Sequence, residues 1–204
     1  TRYNAERIIE LMNEAKKEKV RLLVFPELCI TAYTCGELFL QRFLLEGALE
    51  GLKQICNASV LMDMVIAVGL PFSFRGKLYN VAAFIYKGDV LGLVPKENIP
   101  AYSEFYESRH FTSGQKKVCN VSLFGKEVPF GMNLLFQCKE TKEFVIGCEI
   151  CEDLWVPQSP GVSHALHGAT VICNLSASDE TTTKEAYRRD LVKMQSARLL
   201  CAYV

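Results

Sequence analysis

Four short runs of apolar residues constrain the fold of this chain more than any other feature of its sequence. The runs are RLLVF at 21–25, MVIAVGL at 64–70, FVIGCEI at 144–150 and ATVICNLS at 169–176. Continuous apolar runs of this length are typical of strands that are buried on both faces, as in parallel sheets. Because helical patterns alternate with these runs, the sequence predicts one α/β domain in which helices cover a mixed sheet.

The predicted helices follow the periodicity of the apolar residues. The first is expected to begin at Asn4, whose side chain can cap it. The others are expected to span about 43–56, 162–167 and 184–200.

The middle of the chain has a different pattern. Between Pro71 and Lys96 the sequence predicts antiparallel hairpins, with turns at RGK and at KGD. The segment 97–114 that follows is polar and aromatic without periodicity. Connections of this length are usually functional when they are not disordered, and the aromatic residues argue against disorder.

Composition and charge limit the kinds of partner. The chain has 204 residues, half of them hydrophobic, which is enough for one sizeable core. Its 23 basic and 23 acidic residues cancel without forming long charged clusters, which argues against nucleic acid and membrane surfaces as partners. No apolar stretch reaches the length of about 20 residues that a membrane helix needs, and the first residues do not resemble a signal peptide. A cytoplasmic location is therefore expected.

The cysteines and the two ends of the sequence lead to further expectations. Nine cysteines, an odd number, lie scattered in apolar segments, which suits a reducing compartment. The chain opens at Thr1 without Met and stops at CAYV, which resembles the start of a strand. We therefore expect residues 1–204 to be a single domain that is trimmed at both ends.

Three polar residues share one structural position, at or directly after the end of a predicted strand. Glu27 follows RLLVFP, Lys96 follows VLGLVP, and Cys151 follows FVIGCEI. In sheets with parallel strands, reactive groups gather at the carboxyl ends because the loops converge there. A glutamate, a lysine and a cysteine are therefore expected to meet at one site.

This set of side chains suits nucleophilic catalysis by a thiol. A free thiol, with a pKa of about 8.5, is mostly protonated at neutral pH and needs a base. Burial would raise the pKa of Glu27 and make it a stronger base, while Lys96 could favour the thiolate and later stabilise an oxyanion. Taken singly, each residue would more often be a solvated loop residue or a buried core cysteine. The combination carries the hypothesis.

Other chemistries fit the sequence less well. Cys148 and Cys151 form a C-x-x-C pair, but residues three apart on a strand point to opposite faces, and no second pair completes a zinc site. The chain contains neither a G-x-S-x-G elbow nor a phosphate-binding glycine loop. His164 and His167 have no carboxylate at metal-ligand spacing, so we expect them to be structural or surface residues and expect no metal.

The segments around the three polar residues resemble the nitrilase, or carbon-nitrogen hydrolase, superfamily. They read LLVFPELCITAYTCGELF, GLVPKENIPAYSEFYESRHF and GCEICEDLWVP, and the resemblance runs over nearly all of the chain. EICEDLWVP together with NLSAS is similar to the glutaminase domain of glutamine-dependent NAD synthetases. The resemblance implies a nitrilase-like α-β-β-α sandwich with mixed sheets that dimerises through helices.

The resemblance also implies roles for individual residues. Glu27 resembles the general base, Lys96 the oxyanion-stabilising lysine and Cys151 the nucleophile, while Glu104 resembles the second glutamate that positions lysine and substrate. Five further residues resemble positions that bind glutamine in the synthetases: Tyr33, Tyr102, Phe105, Glu152 and Ser178. For Glu152 there is also a physical reason, because a carboxylate beside the reacting carbon can bind the α-ammonium group of free glutamine.

The activity implied is hydrolysis of the glutamine side-chain amide to glutamate and ammonia through a cysteine thioester. The ammonia would supply ATP-dependent NAD synthesis in a synthetase domain of the parent chain, which is absent from this sequence. No cofactor is expected for this domain, and a homo-oligomer is expected. Two alternatives stay open: an amidase or nitrilase that acts on another small C–N compound, and a catalytically inactive domain of the same fold that serves assembly.

Overall fold

The computed structural model describes all 204 residues and contains four α-helices and ten strands. The helices are α1 (Arg2–Lys17), α2 (Arg42–Ser59), α3 (Pro160–Leu166) and α4 (Lys184–Leu199). The strands are β1 (Leu22–Val24), β2 (Val65–Phe74), β3 (Lys77–Tyr86), β4 (Asp89–Pro95), β5 (Cys119–Leu123), β6 (Lys126–Phe130), β7 (Phe136–Gln137), β8 (Val145–Ile150), β9 (Val171–Leu175) and β10 (Ala202–Tyr203). Short 3-10 helices lie at Gly36–Leu40, Glu107–Arg109 and Cys151–Leu154.

The strands form two mixed sheets. The first has the order β1-β2-β3-β4-β6-β5 and the second the order β10-β9-β8-β7. β1 pairs with β2 in parallel, whereas β2, β3 and β4 are joined by antiparallel hairpins. The hairpin turns centre on Arg75-Gly76 and Lys87-Gly88, and all four residues have positive φ, as tight hairpin turns require. The predicted hairpins are therefore confirmed.

Side chains of the central strands alternate between two cores. On β3, Val81 and Ala83 pack with residues of α1 and α2, whereas Ala82 and Phe84 face the second sheet. On the far side of the second sheet, Ala165 and Leu199 of the other two helices pack against the buried cluster of β9. The layers therefore follow the order helix, sheet, sheet, helix, and the predicted α-β-β-α sandwich is confirmed.

The structure departs from the sequence-based expectations at three places. Asn4 does not cap α1, because it lies inside the helix and donates its Nδ2 to the Ile30 carbonyl at 3.2 Å. β1 has only three residues, and each is half-buried instead of buried on both faces. Strands β5, β6 and β7 were not predicted. None of the helices combines the length and the apolar character needed to cross a membrane.

Candidate active site

Glu27 lies in a turn directly after β1, and the neighbouring strand β2 holds that turn in place. The Ile30 N–H donates to the Gly69 carbonyl at 3.2 Å. β2 passes so close that a Cβ on Gly69 would lie 2.3 Å from the Leu28 nitrogen. Glycine at position 69 therefore allows the turn to direct the Glu27 side chain inward, where the residue is 2% exposed.

Lys96 directly follows β4, as predicted, and its side chain is fully buried. Its Nζ donates to Glu27 Oε1 at 2.7 Å and to Glu107 Oε1 at 2.6 Å. Asn80 of β3 supports the same group, because its Nδ2 donates to Glu27 Oε1 at 2.7 Å. A buried ammonium group needs such partners, since they replace the hydration it loses. The structure thus brings the predicted Glu27 and Lys96 together.

The glutamate in contact with the lysine is Glu107, not the predicted Glu104. Glu107 is 5% exposed and also accepts a hydrogen bond from the Tyr33 hydroxyl at 2.7 Å. Glu104 is exposed in the preceding turn and lines the open cleft described below. Both glutamates belong to the motif EFYE, but the chain turns inward only at the 3-10 helix that begins with Glu107. The expectation that Glu104 positions the lysine is therefore corrected to Glu107.

Cys151 begins a 3-10 helix at the end of β8 and has a left-handed backbone conformation with φ of 45°. Its Sγ accepts a hydrogen bond from Ser176 Oγ at 3.4 Å. The next residue, Ala177, donates its N–H to Glu27 Oε2 at 3.2 Å. Two adjacent residues after β9 thus contact the thiol and the carboxylate, so the three predicted residues meet at one site.

Asp153 connects the loop after the lysine to the turn that carries Cys151. Its carboxylate accepts hydrogen bonds from the Ile150 N–H at 2.9 Å and from the Asn98 N–H at 2.8 Å. Asn98 also donates its Nδ2 to the same carboxylate at 2.9 Å. Asp153 was not predicted as a site residue, although an acidic residue in the segment ICEDLW was a usable signal.

Burial dominates the electrostatics of the cluster. It raises the pKa of Glu27 above the ordinary value, although Lys96 opposes this shift. Burial alone would lower the pKa of Lys96. The negative charges of Glu27 and Glu107 outweigh this effect, so the pKa of Lys96 lies above the ordinary value. Burial raises the pKa of Cys151 to about 12, with Glu27 adding to the shift and Lys96 opposing it. At neutral pH the resting thiol is therefore protonated, and its neighbour Glu27 is a stronger base than a free glutamate.

An open cleft of about 430 Å³ reaches Cys151 from the surface. Four of the five residues predicted to bind substrate line it, namely Tyr102, Phe105, Glu152 and Ser178. The Tyr102 hydroxyl donates to Glu152 Oε2 at 2.9 Å. This hydrogen bond holds the carboxylate of the residue that directly follows the nucleophile Cys151 in the sequence.

The fifth predicted residue, Tyr33, does not line this cleft. Its ring packs edge-on against Phe105, with the ring centroids 6.5 Å apart, and its hydroxyl is used by Glu107. The structure therefore places Tyr33 behind the cleft wall, where it holds Glu107 and Phe105.

Lys184 is the one cationic side chain that lines the cleft, and the sequence did not single it out. Its Nζ forms an ion pair with Asp179 and lies 5.2 Å from the ring centroid of Trp155 and 5.8 Å from that of Phe105. Aromatic faces attract cations in this arrangement. Together with Glu152, Lys184 gives the cleft an anionic and a cationic group. A lysine at the start of a predicted helix is ordinarily solvated, so no sequence signal marked it.

The fold and the site define the class of protein. The sequence profile of the family described as Carbon-nitrogen hydrolase matches residues 1–202, and the chain belongs to that family. Among its relatives are glutamine-dependent NAD(+) synthetases. The synthetase of Mycobacterium tuberculosis is 38% identical over 98% of this chain, and that of Homo sapiens is 29% identical over 96% of it. The chain spans 30% and 28% of the lengths of these two relatives.

Solved structures agree with this assignment. The glutamine-dependent NAD(+) synthetase from Cytophaga hutchinsonii superposes with a TM-score of 0.87 and 34% identity, covering 98% of this chain and 32% of that chain. An amidase of the nitrilase superfamily from Nesterenkonia has a TM-score of 0.72 with 16% identity, covering 98% of this chain and 70% of its own, and shows the shared fold alone. The predicted superfamily, fold class and hydrolase class are confirmed.

Proposed function

We propose that this chain hydrolyses the side-chain amide of glutamine through a thioester on Cys151. The observation that carries the proposal is the meeting of Glu27, Lys96 and Cys151 beside a cleft that is lined by two carboxylates, those of Glu104 and Glu152, and by one cationic side chain, Lys184. A thiol, a buried base and a buried cation are the groups that acyl transfer from an amide requires.

In the first half-reaction Glu27 takes the proton of the Cys151 thiol, and the sulfur attacks the amide carbon. The resulting oxyanion is stabilised by Lys96 Nζ and by a backbone N–H. When the tetrahedral intermediate collapses, the C–N bond breaks, and the nitrogen leaves as ammonia after receiving the proton from Glu27. The products of this step are ammonia and the thioester.

In the second half-reaction water hydrolyses the thioester. Glu27 accepts a proton from the water, whose oxygen attacks the thioester carbon, and Lys96 again stabilises the oxyanion. The C–S bond breaks, the thiolate regains its proton from Glu27, and glutamate is released. Glu107 contributes by accepting a second hydrogen bond from the ammonium group of Lys96, which already donates to Glu27.

Recognition of a free amino acid follows from the charges of the cleft. Glutamine carries an α-ammonium and an α-carboxylate, and both need partners when water is displaced. Glu152, held by Tyr102, suits the ammonium, and Lys184 suits the carboxylate. Ser178 and Phe105 would complete the walls around the side chain of the substrate.

The names of the relatives suggest where the ammonia goes. They are glutamine-dependent NAD(+) synthetases, and this chain covers about 30% of the Mycobacterium tuberculosis relative. The ammonia would therefore be consumed by an ATP-dependent synthetase domain of a longer parent chain. The hydrolysis itself proceeds with the side chains named above, and we propose that it uses no cofactor.

The test measures ammonia release from glutamine by the chain and by two cysteine variants. Cys151→Ala should abolish turnover, whereas Cys148→Ala should retain it, because Cys148 lies inside β8 in the core between the sheets. Lys96→Ala should lower kcat by about 10²-fold or more, as the loss of an oxyanion donor does.

Four results would contradict the proposal. Wild-type turnover by Cys151→Ala would remove the nucleophile from its role, and equal losses in both cysteine variants would favour a dithiol function. Turnover of another small amide but not of glutamine would favour the amidase alternative. A chain that hydrolyses neither would favour the assembly domain.

A further inference from the structure

The backbone of the nucleophile is held by a side chain from the neighbouring strand. Cys151 has φ of 45°, a conformation that residues other than glycine rarely adopt without support. Its N–H donates to Oδ1 of Asn174 in β9 at 3.0 Å. The amide of Asn174 therefore satisfies the donor that the turn would otherwise leave buried.

Asn174 is the first member of a chain of hydrogen bonds that leads away from the cleft. Its Nδ2 donates to the hydroxyl oxygen of Tyr203 in β10 at 3.0 Å. The Tyr203 hydroxyl in turn donates to Glu149 Oε1. Glu149, at 1% exposure in β8, accepts the Gly161 N–H on its other oxygen at 2.6 Å. None of these residues lines the cleft, so none of them is in a position to contact the substrate there.

When Glu149 is ionised, its carboxylate fixes the direction of every bond in this chain. A carboxylate only accepts hydrogen bonds, so Tyr203 must use its single proton toward Glu149. The Tyr203 oxygen is then left as an acceptor, and Asn174 must turn its NH₂ group toward it. This leaves the Asn174 carbonyl facing Cys151, where the N–H of the nucleophile needs an acceptor.

We propose that Glu149, Tyr203 and Asn174 form a positioning relay that orients the nucleophile Cys151 for the reaction with the amide. They are positioning residues, because they act through the backbone of Cys151 and not on the substrate. The relay assigns a role in the site to Tyr203 of β10, a strand of two residues at the edge of the second sheet. The kinetic test of this inference measures glutamine hydrolysis and therefore rests on the proposed function.

Three single variants interrupt the relay in different ways. Tyr203→Phe removes the hydroxyl that links Glu149 to Asn174 and keeps the ring. Asn174→Asp keeps an acceptor for the Cys151 N–H but loses the donor to Tyr203. Glu149→Gln reverses the relay: its oxygen must face the Gly161 N–H, so its NH₂ faces Tyr203 and the amide of Asn174 is forced to turn.

The kinetic test measures glutamine hydrolysis by these variants below their unfolding temperatures. Each should lower kcat about tenfold with KM within twofold of wild type, because misplacement of a reacting group lowers the rate without weakening substrate binding. The double variant Tyr203→Phe with Glu149→Gln should lose no more than either single variant, since one break already interrupts the relay. Tyr79→Phe is the control, because Tyr79 is buried in the core under α1 and α2, outside the relay.

A second measurement does not depend on glutamine turnover. The alkylation rate of Cys151 by iodoacetamide, followed by peptide mapping, should fall at least about fivefold in Tyr203→Phe, because the thiol moves away from its base. The rate should not change in Tyr79→Phe, and Cys35, which is partly exposed, should react equally in all variants.

The outcomes separate this relay from the proposed function. If wild-type chain does not turn over glutamine, the proposed function fails, while the alkylation rates still decide on the relay. The relay would be overturned if Cys151 in the Tyr203→Phe variant were alkylated as fast as in wild type or faster. Where glutamine turnover exists, the kcat of that variant would also have to be unchanged. The relay would also be overturned if the losses of kcat in the two single variants added up in the double variant, because two independent effects would then explain them.

Discussion

A lysine without exposed surface stays charged only where carboxylates replace its water, and Lys96 has two such partners. The sequence located one of them, Glu27, because it directly follows an apolar run. It did not locate Glu107, since Glu104 and Glu107 stand in the same motif and only the inward turn of the loop distinguishes them. Lys184, Asn174 and Tyr203 were missed for a similar reason: their contacts arise only after distant segments pack together.

The correction from Glu104 to Glu107 leads to a prediction with an internal control. Glu107→Gln should lower kcat for glutamine hydrolysis about a hundredfold, because Lys96 loses a charged partner and shifts from its position. Glu104→Gln should change kcat less than about threefold, since its carboxylate is exposed at the cleft. Steady-state kinetics of the two variants decides the matter. The reverse order of effects would restore Glu104 to the role.

The raised pKa of the thiol predicts the pH dependence of its reactivity. Burial raises the pKa of Cys151 to about 12, so the thiol stays protonated at neutral pH and ionises only in strong alkali. The rate of Cys151 alkylation in the free chain should therefore keep rising through pH 10, whereas an ordinary thiol with a pKa of about 8.5 levels off earlier. Mass spectrometry of timed samples between pH 6 and about pH 10.5 measures this. A plateau near neutral pH would show a resting thiolate instead.

At the scale of elements, apolar runs and turn residues carried most of the predictable information. The strands at 64–70, 144–150 and 169–176 and the hairpins of β2, β3 and β4 were predicted because their signals are local. The strands at 119–130 escaped prediction because they are short, partly polar and interrupted by Pro129 in β6. The first helix begins earlier than its apparent cap suggested, since the polar side chain of Asn4 is used by a distant carbonyl.

The contact between β2 and the turn of Glu27 predicts different effects for two glycines of the first sheet. Gly69→Ala would place a Cβ 2.9 Å from the Glu27 carbonyl carbon, so it should destabilise the fold by about 3 kcal/mol and lower glutaminase activity. Gly76→Ala in the β2–β3 turn has open space, and its positive φ alone should cost about 1 kcal/mol without loss of activity. Thermal unfolding and kinetics of both variants test this. Full activity in Gly69→Ala would show that the turn does not set the position of the base.

At the scale of the whole molecule, two sheets and the loops between them bring the site together. Glu27 and Lys96 come from the first sheet and Cys151 from the second, so the site exists only when the core between the sheets is packed. The sequence predicted this meeting from the carboxyl ends of strands, and the family resemblance supplied the layer order that periodicity alone did not give. The expected homo-oligomer and the partner synthetase domain stay predictions.

Labelling with a glutamine-like diazo ketone tests the nucleophile and its substrate together. Free glutamine is added as competitor, and intact-mass analysis and peptide mapping locate the label. We expect one adduct on Cys151, its suppression by glutamine, and no adduct in the Cys151→Ala variant. Labels scattered among the nine cysteines, or labelling of Cys151 that glutamine does not suppress, would contradict a glutamine-specific nucleophile at this site.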